Sequence, residues 1–150
     1  MKLAEALQER ADLVRKINQI RSRLSNNVLI QEGEKPAEDP YELLDELEKS
    51  IANYEVLISR INLTNCNTVV KGKTLTELLA LKDALTLKAA AYREVIDEGS
   101  RNTDRARHTE IKILSSVNVA SLQKKYDQIA KELRMVDNSI QETNWNTELL

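Results

Sequence analysis

A chain of 150 residues with a formal net charge of −2 can bury one core, and it lacks the basic excess of a nucleic-acid binder. With no Phe, one Trp and four Tyr, its interior must be aliphatic, which suits helix seams and offers little surface for stacking bases. One cysteine, Cys66, excludes an intramolecular disulfide and a multi-cysteine zinc site.

The spacing predicts a first helix over 3–26, with a stripe of Leu3, Ala6, Leu7, Leu13, Ile17, Ile20 and Leu24. Arg10 stands in that register, where an apolar residue is expected. Its stem can lie on the core with the head in water, or the guanidinium can enter a buried ion pair that fixes how partners meet. Lys2, Glu5, Glu9, Arg10, Asp12, Arg15 and Lys16 leave no apolar centre for a secretion signal. Gly33, Pro36 and Pro40 then break the helix in a charged loop over 31–40.

A second helix opens at Asp39-Pro40, with Asp39 as cap, Pro40 in the first helical position and Glu42 at capping-box spacing. It is expected to reach about residue 65, with Leu44, Leu47, Ile51, Tyr54, Ile58 and Ile61 stepping by three and four. Leu43 and Leu57 lie off that stripe and leave apolar surface for a second contact.

Thr68, Val69 and Val70 favour a strand, and Lys71-Gly72-Lys73 reads as a turn. Thr74 with Glu77 opens a third helix, striped by Leu75, Leu78, Leu81 or Lys82, Leu85, Ala89, Tyr92 and Ile96 and stopped by Gly99 as a C-terminal cap. Beyond Ser100 the chain is arginine-rich, then alternates through Ile111, Ile113, Ser115, Val117 and Val119. Alternation at period two predicts a strand, expected to pair with 68–70. Asn118 is expected to cap a fourth helix running to about residue 144, with Leu122, Tyr126, Ile129, Leu133, Val136 and Ile140 in register. Trp145 is placed at or just past its end. No apolar run approaches the ~20 residues a membrane helix needs. The expected fold is all-α: one domain over 1–150, a mostly antiparallel four-helix bundle of long helices with a minor β-hairpin-like element.

Chemistry is sparse. Gly33, Gly72 and Gly99 each have a loop, turn or cap role, so no phosphate loop or dinucleotide fingerprint can be built from them. No catalytic, cofactor-binding or metal-binding residue follows from any motif. Arg101, Arg105, Arg107 and His108 are the candidates for an anion site, because guanidinium forks match phosphate and carboxylate. His108 with Asp97, Glu98, Asp104 and Glu110 could hold a zinc or manganese ion, but the spacing fits no ligand motif and the arginines oppose a cation. Cys66 and His108 could pair as nucleophile and base; the plainer reading is a small buried Cys and an exposed His. Asn62, Asn65 and Asn67, and again Asn138, Gln141 and Asn144, read as helix-end amides.

Several segments together resemble the septicolysin-like family of small bacterial helical proteins. They are residues 1–13 (MKLAEALQERADL), 28–40 (VLIQEGEKPAEDP), 57–65 (LISRINLTN) and 137–145 (DNSIQETNW), with 110–112 (EIK) and 121–124 (SLQK). The resemblance spans nearly the whole chain. It implies a helical protein without an assigned activity, and its name implies a pore-forming label but no site residue. The expected function is therefore non-catalytic: a cytoplasmic, self-associating structural or interaction protein with coiled-coil-like seams, a homo-oligomer without nucleic-acid or membrane partner. The runner-up is a pore-forming or membrane-damaging toxin, from the family label. The third reading is a small anion- or metal-binding protein or enzyme centred on 100–110.

Overall fold

The computed structural model describes residues 1–101 and 111–150. The fold is all-α. Among the described residues the elements are α1 (Leu3–Asn27), α2 (Pro40–Asn67), α3 (Leu75–Gly99) and α4 (Val119–Asn146), with a small antiparallel hairpin of β1 (Val69–Val70) and β2 (Lys73–Thr74). The chain divides into two compact units, one of residues 1–74 with 142–150 and one of residues 75–141.

In the first unit α1 and α2 run antiparallel, tied by Lys16–Glu46 at 3.2 Å, Arg23–Glu46 at 3.8 Å and a close Arg23–Glu38 pair. At the end of α1 the buried Asn27 donates to the Arg23 carbonyl at 2.8 Å and accepts from the Glu38 N–H at 2.9 Å, pinning the loop back to the helix it leaves. The Asp39 carboxylate accepts from the Tyr41 N–H at 2.9 Å, and Pro40 takes the first helical position, as the sequence leads one to expect. Leu3, Ala6 and Ile20 of α1 are buried, and so are Leu43, Leu57 and Ile61 of α2. The last residues close over this core. The Leu3 N–H donates to Thr147 O and the Leu149 N–H to Met1 O, both at 2.9 Å, while the Leu150 N–H donates to Thr64 Oγ1 at 3.0 Å.

The buried register of α2 corrects the expected one in part: Ile61 of the expected stripe is buried, but the stripe before it is not. The seam runs through Leu43, Ser50, Leu57, Ile61 and Thr64, while Leu44 and Ile51 are exposed and Ile58 is half-buried. Two members of this seam are polar. Each satisfies its own hydroxyl inside the helix: Ser50 donates to the Glu46 carbonyl and Thr64 to the Arg60 carbonyl, both at 2.8 Å. A short side chain bonded this way can be buried at little cost.

The hairpin also differs from expectation. Val69 pairs with Thr74 and Val70 with Lys73, so β1 meets β2 and not residues 111–119. The two connecting residues both take the left-handed backbone, Lys71 at φ 50° and Gly72 at φ 82°, the signature of a type I′ turn whose twist matches the strands. A two-residue link closes this pairing with almost no loop entropy, which a partner some forty residues away cannot match.

In the second unit α3 and α4 run antiparallel. Lys82 Nζ lies 2.5 Å from an Asp137 carboxylate oxygen, and the Arg93 guanidinium lies 5.9 Å from the centre of the Tyr126 ring. Leu75, Leu78, Leu85 and Ile96 of α3 and Ile129 and Ile140 of α4 are buried in the expected registers, with Leu122, Tyr126, Leu133 and Val136 half-buried. Asn118 caps α4, its side-chain oxygen accepting from the Ser121 N–H at 3.0 Å. Gly99 is the last residue of α3, and close approach explains it better than a left-handed cap. A Cβ there would stand 2.9 Å from Val117 Cγ2. Trp145 falls inside the final turn of α4, half exposed.

Candidate interaction surface

A two-helix hairpin can bury only one seam between its helices. On α2 the neighbouring stripe, Leu44, Leu47, Ile51, Tyr54 and Ile58, is wholly apolar or aromatic, yet Leu44 is 42% and Ile51 45% exposed. The seam that is buried contains a serine and a threonine. The more apolar of two adjacent stripes is thus the one left partly open, with Leu47, Tyr54 and Ile58 half-buried between the exposed Leu44 and Ile51.

Helix geometry extends this stripe onto α1. The ion pairs of Lys16 and Arg23 with Glu46 mark one side of the hairpin. At 3.6 residues per turn, Val14 stands about 180° around α1 from Arg23, and Leu44 and Ile51 stand about 140–160° around α2 from Glu46. Because the helices are antiparallel, these residues share the opposite side. Val14, 39% exposed, joins the α2 stripe there, with Leu7 one heptad before it and half-buried. Arg10, Glu48 and Glu55 border the patch. All three are exposed and make no ion pair among the described residues. Among the described residues Arg10 is therefore in no buried pair, and its side chain is exposed.

A smaller apolar groove lies in the second unit, lined by Ala91, Tyr92 and Val95 of α3 and Leu122 of α4. It has no polar group to orient a ligand, so it offers packing and no chemistry.

The electrostatics elsewhere are those of paired surface charges. The Arg23 hydrogen bond holds the Glu38 carboxyl below the usual carboxylate range, Lys82 does the same for Asp137, and Lys2 with the Met1 ammonium does so for Glu148. A carboxyl lowered in the folded state adds stability that is present above its unfolded pKa and is lost as pH falls through the folded value. The urea midpoint is therefore expected to hold near neutrality and to drop as the pH is taken below about 4, the ordinary carboxylate range. Because these pairs are solvated, each contributes modestly. Arg23→Gln with Lys82→Gln should flatten the acid limb; an unchanged slope would show that these pairs do not set it.

The residues singled out for chemistry are not brought together among the described residues. Arg101 is exposed and lies 3.6 Å from the Glu98 carboxylate, one turn back on its own chain. Arg105, Arg107 and His108, with Asp104 and Glu110, lie outside the described residues. Cys66 is exposed, which corrects the expectation of a buried thiol. Among the described residues no group of three or more His, Cys, Asp or Glu side chains is placed to hold a metal ion. No helix among them is long and apolar enough to cross a membrane. Reasoning from the sequence noted Arg10 and the apolar stripe on α2, but missed Val14, which fits no stripe on α1 until the second helix is beside it.

Residues 10–149 match the model of a family of unknown function, DUF6847. The chain belongs to DUF6847. The septicolysin-like resemblance is thereby corrected: the matching family is a different one, and the membrane-damaging reading drawn from the other family's label falls with it. A crystal structure from Corynebacterium diphtheriae, described as a functionally unknown conserved protein, is similar at 39% identity and a TM-score of 0.93. The likeness covers 100% of this chain and 99% of that one. No curated protein matches the chain. The DUF6847 match begins at Arg10, so it takes in Val14 and the whole of the open stripe on α2.

Proposed function

We propose that this chain is a non-catalytic, self-associating helical protein, a structural or interaction module whose working surface is the open side of the α1–α2 hairpin. One observation carries the reading: α2 buries the stripe containing Ser50 and Thr64 and leaves Leu44 and Ile51 of the neighbouring apolar stripe exposed, with Leu47, Tyr54 and Ile58 half-buried beside them. Contiguous apolar surface on a polar-rimmed face marks an association site. A heptad step from Leu44 through Ile51 to Ile58 is the spacing at which one helix seats against another in a coiled-coil-like seam. The exposed thiol of Cys66 suits a reducing compartment, so we place the protein in the cytoplasm. Sedimentation at micromolar concentration is expected to give more than one chain per particle. A particle of 17.1 kDa across that range would overturn the reading.

A further inference from the structure

We infer that the partner of the open face is a second copy of this chain, docked about a two-fold axis parallel to the helices, with Arg10 of each copy set against Glu48 and Glu55 of the other. The inference rests on the self-association proposed above and adds the surface, the symmetry and the groups that fix the register.

The charges select the symmetry. On the open side, α1 offers Arg10 and, near its other end and level with about residue 41, Arg21, while α2 offers Glu48 and Glu55, beside an apolar strip supplied by both helices. Two hairpins can meet face to face about a two-fold axis in two ways. An axis across the helices lays α1 on α1 and α2 on α2 and reverses height, so where it passes near the level of Arg10 the arginines face each other and so do the glutamates. An axis along the helices lays α1 of each copy on α2 of the other, and each arginine then faces glutamates. Like charges brought together on a desolvated face are disfavoured, and opposite charges give the contact its specificity.

The heights agree as well. Lys16 lies beside Glu46, so Arg10, six residues earlier on an antiparallel helix, is level with about residue 52. Rotation about an axis along the helices preserves height. Arg10 therefore falls between Glu48 and Glu55 of the partner subunit, within about 6 Å of each along the axis, well inside the reach of its side chain. The same rotation brings Val14 level with about residue 48 of the partner subunit, between the heights of Leu44 and Ile51. Arg10 occupies a seam position, makes no ion pair within its own chain among the described residues, and gains one across this interface. A polar residue at one seam position is a known device for fixing register and partner number.

The test is a charge exchange read by sedimentation equilibrium. Two variants are made, Arg10→Glu and the double change Glu48→Lys with Glu55→Lys. All three sites are exposed, and circular dichroism with a urea midpoint confirms that each variant is folded. The wild type is expected to dimerise. Each variant alone is expected to dimerise at least tenfold more weakly, because its charges now repel in trans. An equimolar mixture is expected to recover dimer at concentrations where each variant alone is monomeric, since both arginine–glutamate contacts become lysine–glutamate or arginine–glutamate pairs again. A wild type that dimerises with neither variant weakened leaves self-association standing and overturns this face. Two weakened variants whose mixture stays monomeric overturn the pairing. A monomeric wild type overturns the self-association reading and this inference with it.

Discussion

Ile61→Ala is expected to lower the unfolding free energy by about 2–5 kcal/mol, the range for truncating a large side chain in a core that cannot collapse around the gap. Ile61 is 1% exposed and lies in the seam that α2 buries. It sits three residues before Thr64, where the C-terminal residues close over the hairpin, so the space it leaves is walled by backbone held in hydrogen bonds. The informative control is Ile51→Ala. Both are isoleucines on one helix, but Ile51 is 45% exposed, and the same truncation there is expected to cost about 1 kcal/mol or less when measured on the monomer. Equal shifts in the urea midpoint would mean that the two stripes on α2 are buried alike. That result would remove the ground for an open face.

The second large effect is expected at Thr64. Thr64→Val keeps the shape and removes the hydroxyl. That hydroxyl is 2.8 Å from the Arg60 carbonyl, to which it donates, and accepts from the Leu150 N–H at 3.0 Å. The Arg60 carbonyl keeps its helical partner, so its loss is small. The Leu150 N–H loses its acceptor in a partly buried position, which costs about 1–3 kcal/mol, offset in part by the added methyl. Arg60 Nε still donates to Leu150 O at 2.7 Å, so the tail is expected to loosen without leaving. Two readouts follow: a lower urea midpoint, and faster amide hydrogen exchange at residues 148–150 with α3 unaffected. Unchanged exchange there would show that the Thr64 hydroxyl does not hold the tail.

The membership in DUF6847 and the 39% identity to a structure of unknown function leave the surface as the place where a function can be argued. The first prediction above bears on it directly, because the open face exists only if the Leu43–Leu57 register is the buried one. Ser50 supplies a further check on the same point. It is 3% exposed and bonded to Glu46 O, so it fills a seam position that Leu or Ile would overpack.

The existence and approximate ends of the four helices were determined by the sequence alone. Asp39-Pro40 and Asn118 act within one turn of where they stand, and a cap works through bonds to backbone two or three residues away, so local chemistry suffices to place it. The registers of α3 and α4 were legible for a related reason: each carries one dominant stripe, and a helix with one apolar stripe has one way to bury it. Tertiary structure decided what local chemistry leaves open. On α2 two stripes compete, and periodicity favours the one with more apolar side chains. The packed hairpin chose the other, because hydroxyls that bond their own helix are cheap to bury and small enough for α1 to approach. The strand pairing was decided in the same way. Alternation in residues 111–119 suggested a partner for Val69 and Val70, but the left-handed pair Lys71-Gly72 returned the chain on itself within two residues. Whether Arg10 is a stray charge or a register key also depends on what stands opposite it. A sequence shows the side chain, and only the neighbouring helix shows which side of the hairpin it faces.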